Sequence, residues 1–174
     1  MAATDTLLKP EECVMLLVDL LFFACVLHNV GLTEDANKTH RFEVDGADFV
    51  AEFLTRRGLG AAQVDTLWQA IALNASLGIA ERRGAVCALT LVGVSVDFGV
   101  DAAFISDATA AAIHSAYPRI SIGRALADAV VAQARGNPAK APPFSMPAQL
   151  LMERTAPPHF TTVEQLAQGG RWGD

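Results

Sequence analysis

The feature that most limits how this chain can fold is an apolar run near its start, CVMLLVDLLFFACVL at residues 13–27. Only Asp19 interrupts it. A segment that is apolar on nearly every face has to be covered, so it predicts a helix at the centre of a bundle. Pro10 stands just before it, where proline favours a helix start, and we therefore expect the first helix over residues 11–28.

A run this apolar is also typical of membrane-spanning helices and signal peptides. It is shorter than the ~20 apolar residues that span a bilayer. Acidic residues precede it, whereas a signal peptide begins with basic ones. These observations predict no membrane helix and no leader peptide.

Helical spacing of apolar residues continues along the chain. It predicts helices over 44–57, 61–74, 85–97, 107–117 and 121–136, followed by a short tail helix after Thr161 or Thr162. Gly58 favours the end of one helix, and Asp107 and Ser121 are candidate N-caps of two others. Residues 30–42 are polar and without periodicity, so they predict a loop.

The fold class predicted by these patterns is all-α, because no segment shows the alternation of a strand. Residues 137–148 hold four prolines and predict an ordered wrap or linker. A length of 174 residues is typical of one domain, which we place at 1–174.

Composition limits the partners of the chain. It is 52% hydrophobic and 18% charged, which predicts a globular protein with a sizeable core. The net charge of −6 and the scattered basic residues argue against nucleic acid as a partner. The three cysteines, Cys13, Cys25 and Cys87, each lie in an apolar segment, and they predict free, packed thiols in a cytoplasmic protein.

Three polar features interrupt the apolar segments and are candidates for chemistry. His28-Asn29 ends the first run, Asn74 ends the helix at 61–74, and Asp97 lies within VGVSVDFG. A carboxylate in apolar surroundings costs several kcal/mol unless it is paired. Structural alternatives exist for each: a core histidine bonded to the backbone for His28, a helix C-cap for Asn74, and a turn or cap for Asp97.

The order of the motifs adds a further hypothesis. The series LHNVGLT, RFEVDGA, WQAIALNASLGIAE and ALTLVGVSVDFG resembles the HD-domain superfamily, in its cyanamide-hydratase-like branch, from about residue 13 to about residue 155. The most specific part is RFEVDGA at 41–47. The resemblance implies a helical bundle around a divalent metal, held by a first histidine on an upstream helix, a His-Asp pair and a later aspartate.

Departures from the family pattern affect that metal site. His28-Asn29 stands at the His-Asp pair and Asp97 at the late aspartate, but Asn29 replaces a carboxylate. Asn74 stands where relatives usually have a histidine, and the upstream helix is absent, so the resemblance implies an N-terminally shortened bundle. We expect no tight zinc or iron site and no other cofactor; a weakly bound divalent metal would use His28 and Asp97.

Cys25 lies three residues before His28, on the same helix face, so the two side chains are a further candidate zinc pair. A core thiol explains Cys25 equally well. Asp19, on the first helix, is a second candidate for a buried carboxylate. An exposed strip along that helix would explain its position equally well.

The resemblance places this polar set in the family's pocket, where it would act as an acid–base site for a small organic molecule. His28 would be the general acid or base, Asp97 its orienting partner, and Asn29 and Asn74 hydrogen-bond donors to the substrate, in lyase/hydratase or isomerase/cyclase chemistry. The alternatives are a metal-dependent hydratase or hydrolase, and a non-catalytic binding or oligomerisation protein. The uncovered apolar helix also predicts a homodimer in which it, or residues 85–97, packs across a two-fold axis.

Overall fold

The computed structural model describes residues 10–174, with side chains from residue 14 onward, and over this range it is all-helical, as predicted. The helices are α1 (Pro10–Leu27), α2 (Phe42–Arg56), α3 (Ala61–Ala72), α4 (Ala85–Asp97), α5 (Asp107–Ala116), α6 (Ile122–Gly136), α7 (Met146–Thr155) and α8 (Thr162–Gly169). Short 3₁₀ turns occur at Val30–Leu32, Ala80–Arg82, Ala102–Phe104 and Pro138–Lys140.

Several predicted helix ends need correction. Pro10 is the first residue of α1 and not the residue before it. The N-cap of α5 is Ser106, whose Oγ accepts the backbone N–H of Thr109 at 3.1 Å, so Asp107 is the first helical residue instead. Ser121 does precede α6, but its side chain forms no cap and its φ is 56°.

Helix α7 was not predicted, because its first residues belong to the proline-rich segment 137–148. A proline in the first turn of a helix is compatible with helical geometry, since the N–H that it lacks has no intrahelical acceptor there. Pro147 occupies that turn, and Ser145 caps it. Of the proline-rich segment 137–148, only the residues before α7 are therefore left for the predicted wrap or linker.

Two hydrophobic clusters organise the molecule. The first joins α1, α2, α3 and α4, with Leu20 and Ala24 of α1 buried against residues such as Leu67 and Ile71 of α3. At its edge the indole N–H of Trp68 donates to Asp48 Oδ1 at 2.7 Å. The second cluster joins the start of α2 with α6, α7 and α8, and its buried members are Phe42, Val130, Val131 and Leu150.

Polar contacts join the two clusters. The Gln133 side chain on α6 donates to the Gly31 carbonyl at 2.9 Å. Lys140, in the turn after α6, donates to the His40 carbonyl at 2.8 Å and to the carboxylate of Asp45 on α2. Burial alone would raise the pKa of Asp45, but the hydrogen bonds from Lys140 and from two backbone N–H groups bring it below its usual value. Asp45 is therefore ionised in the fold, as the buried ion pair requires.

The turn that follows α1 touches α2 backbone to backbone. A Cβ added to Gly31 would lie 1.9 Å from the Phe42 carbonyl oxygen, and a Cβ added to Gly46 would lie 2.8 Å from the Gly31 nitrogen. Both positions therefore require glycine, because a methyl group would overlap main-chain atoms that are fixed within a helix. This contact sets where the residues just after α1 lie relative to α2.

Helix α1 is less buried than its composition predicts. Residues Val14–Leu32 are long and apolar enough to cross a membrane by length and composition, and 17% of that window is buried in the fold. Such a window is longer than the 13–27 run, so length alone does not exclude a span. A single helix of this kind is weak evidence for a membrane protein, and α1 packs on α3 and α4. Asp19 lies on its exposed side.

The glycine contact gives a direct test of the fold. We expect Gly31→Ala to lower the free energy of unfolding by at least ~2–3 kcal/mol, because the new methyl group must displace main-chain atoms. Urea denaturation followed by circular dichroism measures the change. The matched control is Gly136→Ala, where a Cβ meets no atom within 4 Å and the expected change is less than ~1 kcal/mol. Equal effects of the two substitutions would contradict the proposed role of the contact.

Candidate active-site cavity

A cavity of about 620 Å³ lies between the two hydrophobic clusters. Its walls come from the end of α1, the start of α2, the segment after α3, the second half of α4 and the residues just after it, and parts of α6, α7 and α8. The polar or sulfur-bearing side chains on its walls are Cys25, His28, Asn29, Asn74, Ser95, Asp97 and Met146. All four site residues predicted from the sequence therefore line one cavity, although they come from three separate segments.

His28 follows the last residue of α1, and its ring is held by the helix end itself. Its Nδ1 lies 2.8 Å from the Cys25 carbonyl oxygen. Because a carbonyl only accepts, Nδ1 carries the proton in the neutral ring and Nε2 is left with a lone pair. His28 is thus bonded to the backbone, as its structural alternative predicted. Its Nε2 remains available for chemistry.

The charge of His28 depends on its surroundings. Burial lowers the pKa of the imidazole, and this effect exceeds the opposing influence of the Cys25 carbonyl and of the Asp97 carboxylate. The ring is therefore neutral at pH 7. A neutral imidazole with a free Nε2 is a proton acceptor.

Asn74 is buried, and one N–H of its amide donates to the Ile71 carbonyl at 2.7 Å. This bond satisfies a backbone carbonyl at the end of α3, as expected if Asn74 is a helix C-cap. The oxygen Oδ1 has no donor among the described residues, so Asn74 can also accept a hydrogen bond from a ligand. The Asn29 side chain forms no cap on the 3₁₀ turn that follows it, and both of its polar atoms are available to a ligand.

Asp97 ends α4 and is not the buried carboxylate that the apolar sequence around it suggested. Its side chain is 52% exposed, and Oδ1 accepts a hydrogen bond from Arg119 Nη1 at 2.8 Å. Among the described residues it makes no hydrogen bond to His28, so the Cys25 carbonyl, and not Asp97, orients the imidazole. Asp97 acts on His28 through charge alone.

Arg119 is the contact that sequence reasoning missed. Its side chain is 9% exposed, and Nε donates to the Gly173 carbonyl at 2.8 Å. An arginine in the short link between two helices gives no periodic signal, and its partner lies 22 residues away in sequence. The pairing leaves the cavity close to electrically neutral, because the guanidinium compensates the charge of Asp97.

The C-terminal residues close this end of the molecule. The indole N–H of Trp172 donates to the Val96 carbonyl at 2.9 Å. Asp174 Oδ1 accepts the backbone N–H of Gly123 at 2.7 Å, and it thereby supplies the cap that Ser121 does not provide for α6. The predicted tail helix is α8, and the five residues after it fasten α4 to α6 beside Asp97.

The donors in the cavity do not fit a tightly bound divalent metal. Among the residues whose side chains are described, no three histidine, cysteine, aspartate or glutamate side chains lie close enough together to hold one. Asp97 is paired with arginine, and partial burial raises the pKa of the Cys25 thiol, which disfavours the thiolate that zinc needs. None of the other histidines, His40, His114 and His159, lines the cavity.

The thiol predictions have separate outcomes. Cys25 and Cys87 are both free, as expected. Cys87 is buried, whereas Cys25 is largely exposed, so the prediction that it is a packed core thiol is wrong. The side chain of Cys13 lies outside the described residues.

No protein-family model, curated protein or solved structure matches this chain. The similarity of its motifs to the HD-domain superfamily accordingly stays a resemblance.

We expect the purified protein to contain far less than one transition metal per chain. The reason is the donor set, in which Asn29 and the Arg119-paired Asp97 are weak ligands. Elemental analysis of protein purified without a chelator or a metal-binding tag measures this. Stoichiometric zinc, iron or manganese that survives dialysis would contradict the expectation. Asn29→Asp adds an anionic oxygen beside His28 and should increase the affinity for added Zn²⁺, with Asn37→Asp, outside the cavity, as the control.

Proposed function

We propose that this protein is a cytoplasmic enzyme that binds an uncharged, mostly apolar small molecule and transfers a proton on it. The observation that carries the proposal is His28, neutral and with no described partner on Nε2, on the wall of an apolar cavity that two asparagine amides also line. An apolar pocket with a few convergent polar groups and a titratable group of shifted pKa is a common form of active site.

The walls of the cavity indicate the kind of substrate. Most of its lining side chains are apolar, among them Phe42, Leu91, Phe98, Leu126 and Val163. At neutral pH the one charged side chain on the described walls is Asp97, which Arg119 compensates. Transfer of a charged ligand into such surroundings is costly without a countercharge. A neutral ligand with an apolar body fits better.

His28 and Asn29 are neighbours in sequence on that wall, and Asn74 lines the same cavity, so these three residues indicate where the reactive group would bind. Asn29 offers a donor and an acceptor, Asn74 offers Oδ1, and His28 offers Nε2. A carbonyl, amide, nitrile or hydroxyl group on the substrate would hydrogen-bond to the amides, which would orient it relative to the imidazole. His28 would then accept a proton through Nε2 and return it, in lyase/hydratase or isomerase/cyclase chemistry.

Asp97 has a secondary part in this proposal. Proton uptake by His28 creates a positive charge in a poorly solvated place, and the nearby carboxylate favours that charge. Arg119 holds the carboxylate in position and weakens its field. The effect is that His28 remains neutral at rest and gains some stabilisation once it is protonated.

Two other functions compete with this one. A metal-dependent hydratase or hydrolase would need a metal that the donor set holds poorly, and the metal analysis above separates it. A non-catalytic binding protein would use the same cavity without proton transfer. This non-catalytic alternative differs from the proposal in one respect: the bound molecule would not be changed chemically.

Binding of matched probes tests the proposal. We expect hexanamide to raise the melting temperature of the protein, and hexanoate and hexylamine of the same length to leave it unchanged, because only the neutral probe avoids an uncompensated charge. Leu166→Trp, which places a large ring on the cavity wall, should abolish the shift. Met152→Trp, an exposed position that does not line the cavity, is the matched control.

The outcomes of this experiment are distinct. A shift with hexanoate alone would overturn the neutral-substrate proposal, and no shift with any probe would overturn the assignment of the cavity as a ligand site. A ketone such as 2-heptanone adds a catalytic readout, since proton transfer exchanges its α-hydrogens for deuterium in D₂O. Binding with exchange that His28→Gln abolishes supports an enzyme; binding with no exchange supports the non-catalytic alternative.

The protonation state of His28 gives a second prediction. Because burial lowers its pKa, we expect its ring resonances to titrate with a midpoint below 6.5, the usual value for histidine. The base form then predominates at neutral pH, and any rate that depends on it rises with pH through that midpoint and levels off above it. Nuclear magnetic resonance measures the midpoint, with His28→Gln to assign the signal. A midpoint above 6.5 would contradict the neutral ring and favour an imidazolium acid.

A further inference from the structure

The outer surface of α1 is apolar and open to solvent. Its exposed side chains are Val14, Met15, Val18, Phe22, Phe23 and Val26, with exposures between 40% and 62%. These residues occupy one side of the helix, opposite the buried Leu20 and Ala24. No segment within residues 14–174 packs over them.

Helix α4 extends this surface. Leu89 and Val92 on α4 are 42% and 48% exposed. The two helices meet where a Cβ added to Gly93 would lie 3.6 Å from Cys25 Sγ, so their exposed stripes adjoin. We name these eight exposed side chains of α1 and α4 the α1–α4 face.

The size of the face is that of a stable protein interface. Large apolar side chains present roughly 150–250 Å² each, so eight of them at about half exposure leave roughly 600–1,000 Å² in water. A standard interface buries about 800 Å² on each partner, whereas a monomer rarely exposes a contiguous apolar patch of more than a few hundred Å². The face therefore matches one side of a dimer.

Its composition fits a second protein surface. Phenylalanine and methionine are enriched at the centres of interfaces, and the Phe22 and Phe23 rings stand edge to face at 5.8 Å in the middle of α1. Asp19 supplies the one charge among the described residues on this part of α1. A partner of opposite charge would have little to recognise, whereas an identical apolar face is complementary to it.

A membrane surface fits less well. Helices that lie on membranes carry lysine and arginine beside their apolar side, and α1 has neither. The chain as a whole has a net charge of −6, which anionic lipids repel.

We propose that the α1–α4 face is the interface of a two-fold symmetric dimer of this chain. In a two-fold contact the same surface is used by both copies, which an apolar face of this size permits. Cys25 and Gly93 line the cavity as well as the seam between α1 and α4. The second copy therefore also covers one side of each cavity. The proposal does not depend on the nature of the ligand.

Sedimentation equilibrium at micromolar concentration tests the dimer. We expect twice the chain mass of 18.4 kDa for the natural sequence. Phe22→Asp, at the centre of the face, should weaken the dimer at least ~30-fold, as loss of an interface hot spot does. Val92→Asp should act in the same direction from α4. Phe104→Asp, a 76% exposed position away from the face, is the matched control and should leave the dimer intact.

The result that overturns the proposal is equally clear. A natural chain that sediments at 18.4 kDa throughout, or dimers that survive both Phe22→Asp and Val92→Asp, would refute the interface. Circular dichroism checks that each variant is folded. Flotation with phosphatidylcholine and phosphatidylserine vesicles tests the membrane alternative, and binding of the natural chain that Phe22→Asp abolishes would assign the face to lipid instead.

Discussion

The contact of Gly31 with Gly46 determines how the rest of this structure is arranged. It lets the main chain after α1 touch the main chain of α2, at a separation that any side chain would prevent. The chain therefore turns sharply after Leu27, and His28 and Asn29 are held at that turn beside the start of α2. From there Gln133 reaches the Gly31 carbonyl and ties α6 to the same point. The cavity lies where the two clusters meet, and the turn at this contact supplies His28 and Asn29 to its wall.

Charge balance decides what this cavity can accept. Each ionisable group near it is either neutral or paired: His28 is kept neutral by burial, and Asp97 is paired with Arg119. The polar atoms that remain free belong to amides and to one ring nitrogen. Under the proposed function such a cavity would select its ligand by hydrogen bonding and shape, whereas a metal centre or a basic pocket would select by charge.

The sequence predicts the helices well and the walls of the cavity poorly. Periodicity identifies α3 and α6 nearly to the residue, because a helix that buries one face must repeat its apolar positions; α4 is apolar nearly throughout and is identified by the length of its run, which is long for a single strand. Periodicity misses α7, because Pro147 resembles a break when it is in fact a first-turn residue. The sequence links His28, Asn29, Asn74 and Asp97 to one site only through the family resemblance. Nothing in their spacing along the chain shows that they line one cavity.

Contacts between distant residues account for the remaining differences. Asp97 was expected to be a buried charge because its neighbours in sequence are apolar, but the fold leaves it half exposed at the end of α4, where Arg119 pairs with it. Cys25 was expected in the core, yet it lies on the exposed side of α1. The side of that helix that faces α3 carries Leu20 and Ala24. A helix that is apolar all round gives no signal for which side is covered.

The attachment of Trp172 to the Val96 carbonyl makes the chain suited to fluorescence spectroscopy. Its two tryptophans lie in different parts of the fold: Trp68 at the edge of the first cluster, bonded to Asp48, and Trp172 at the end of α4. With either one replaced by phenylalanine, the emission of the other reports on its own surroundings. Release of the C-terminal residues from α4 would change the emission of Trp172 alone, while loosening of the helical core would change that of Trp68. The molecule thus contains two intrinsic reporters that separate a local opening near the cavity from unfolding of the whole.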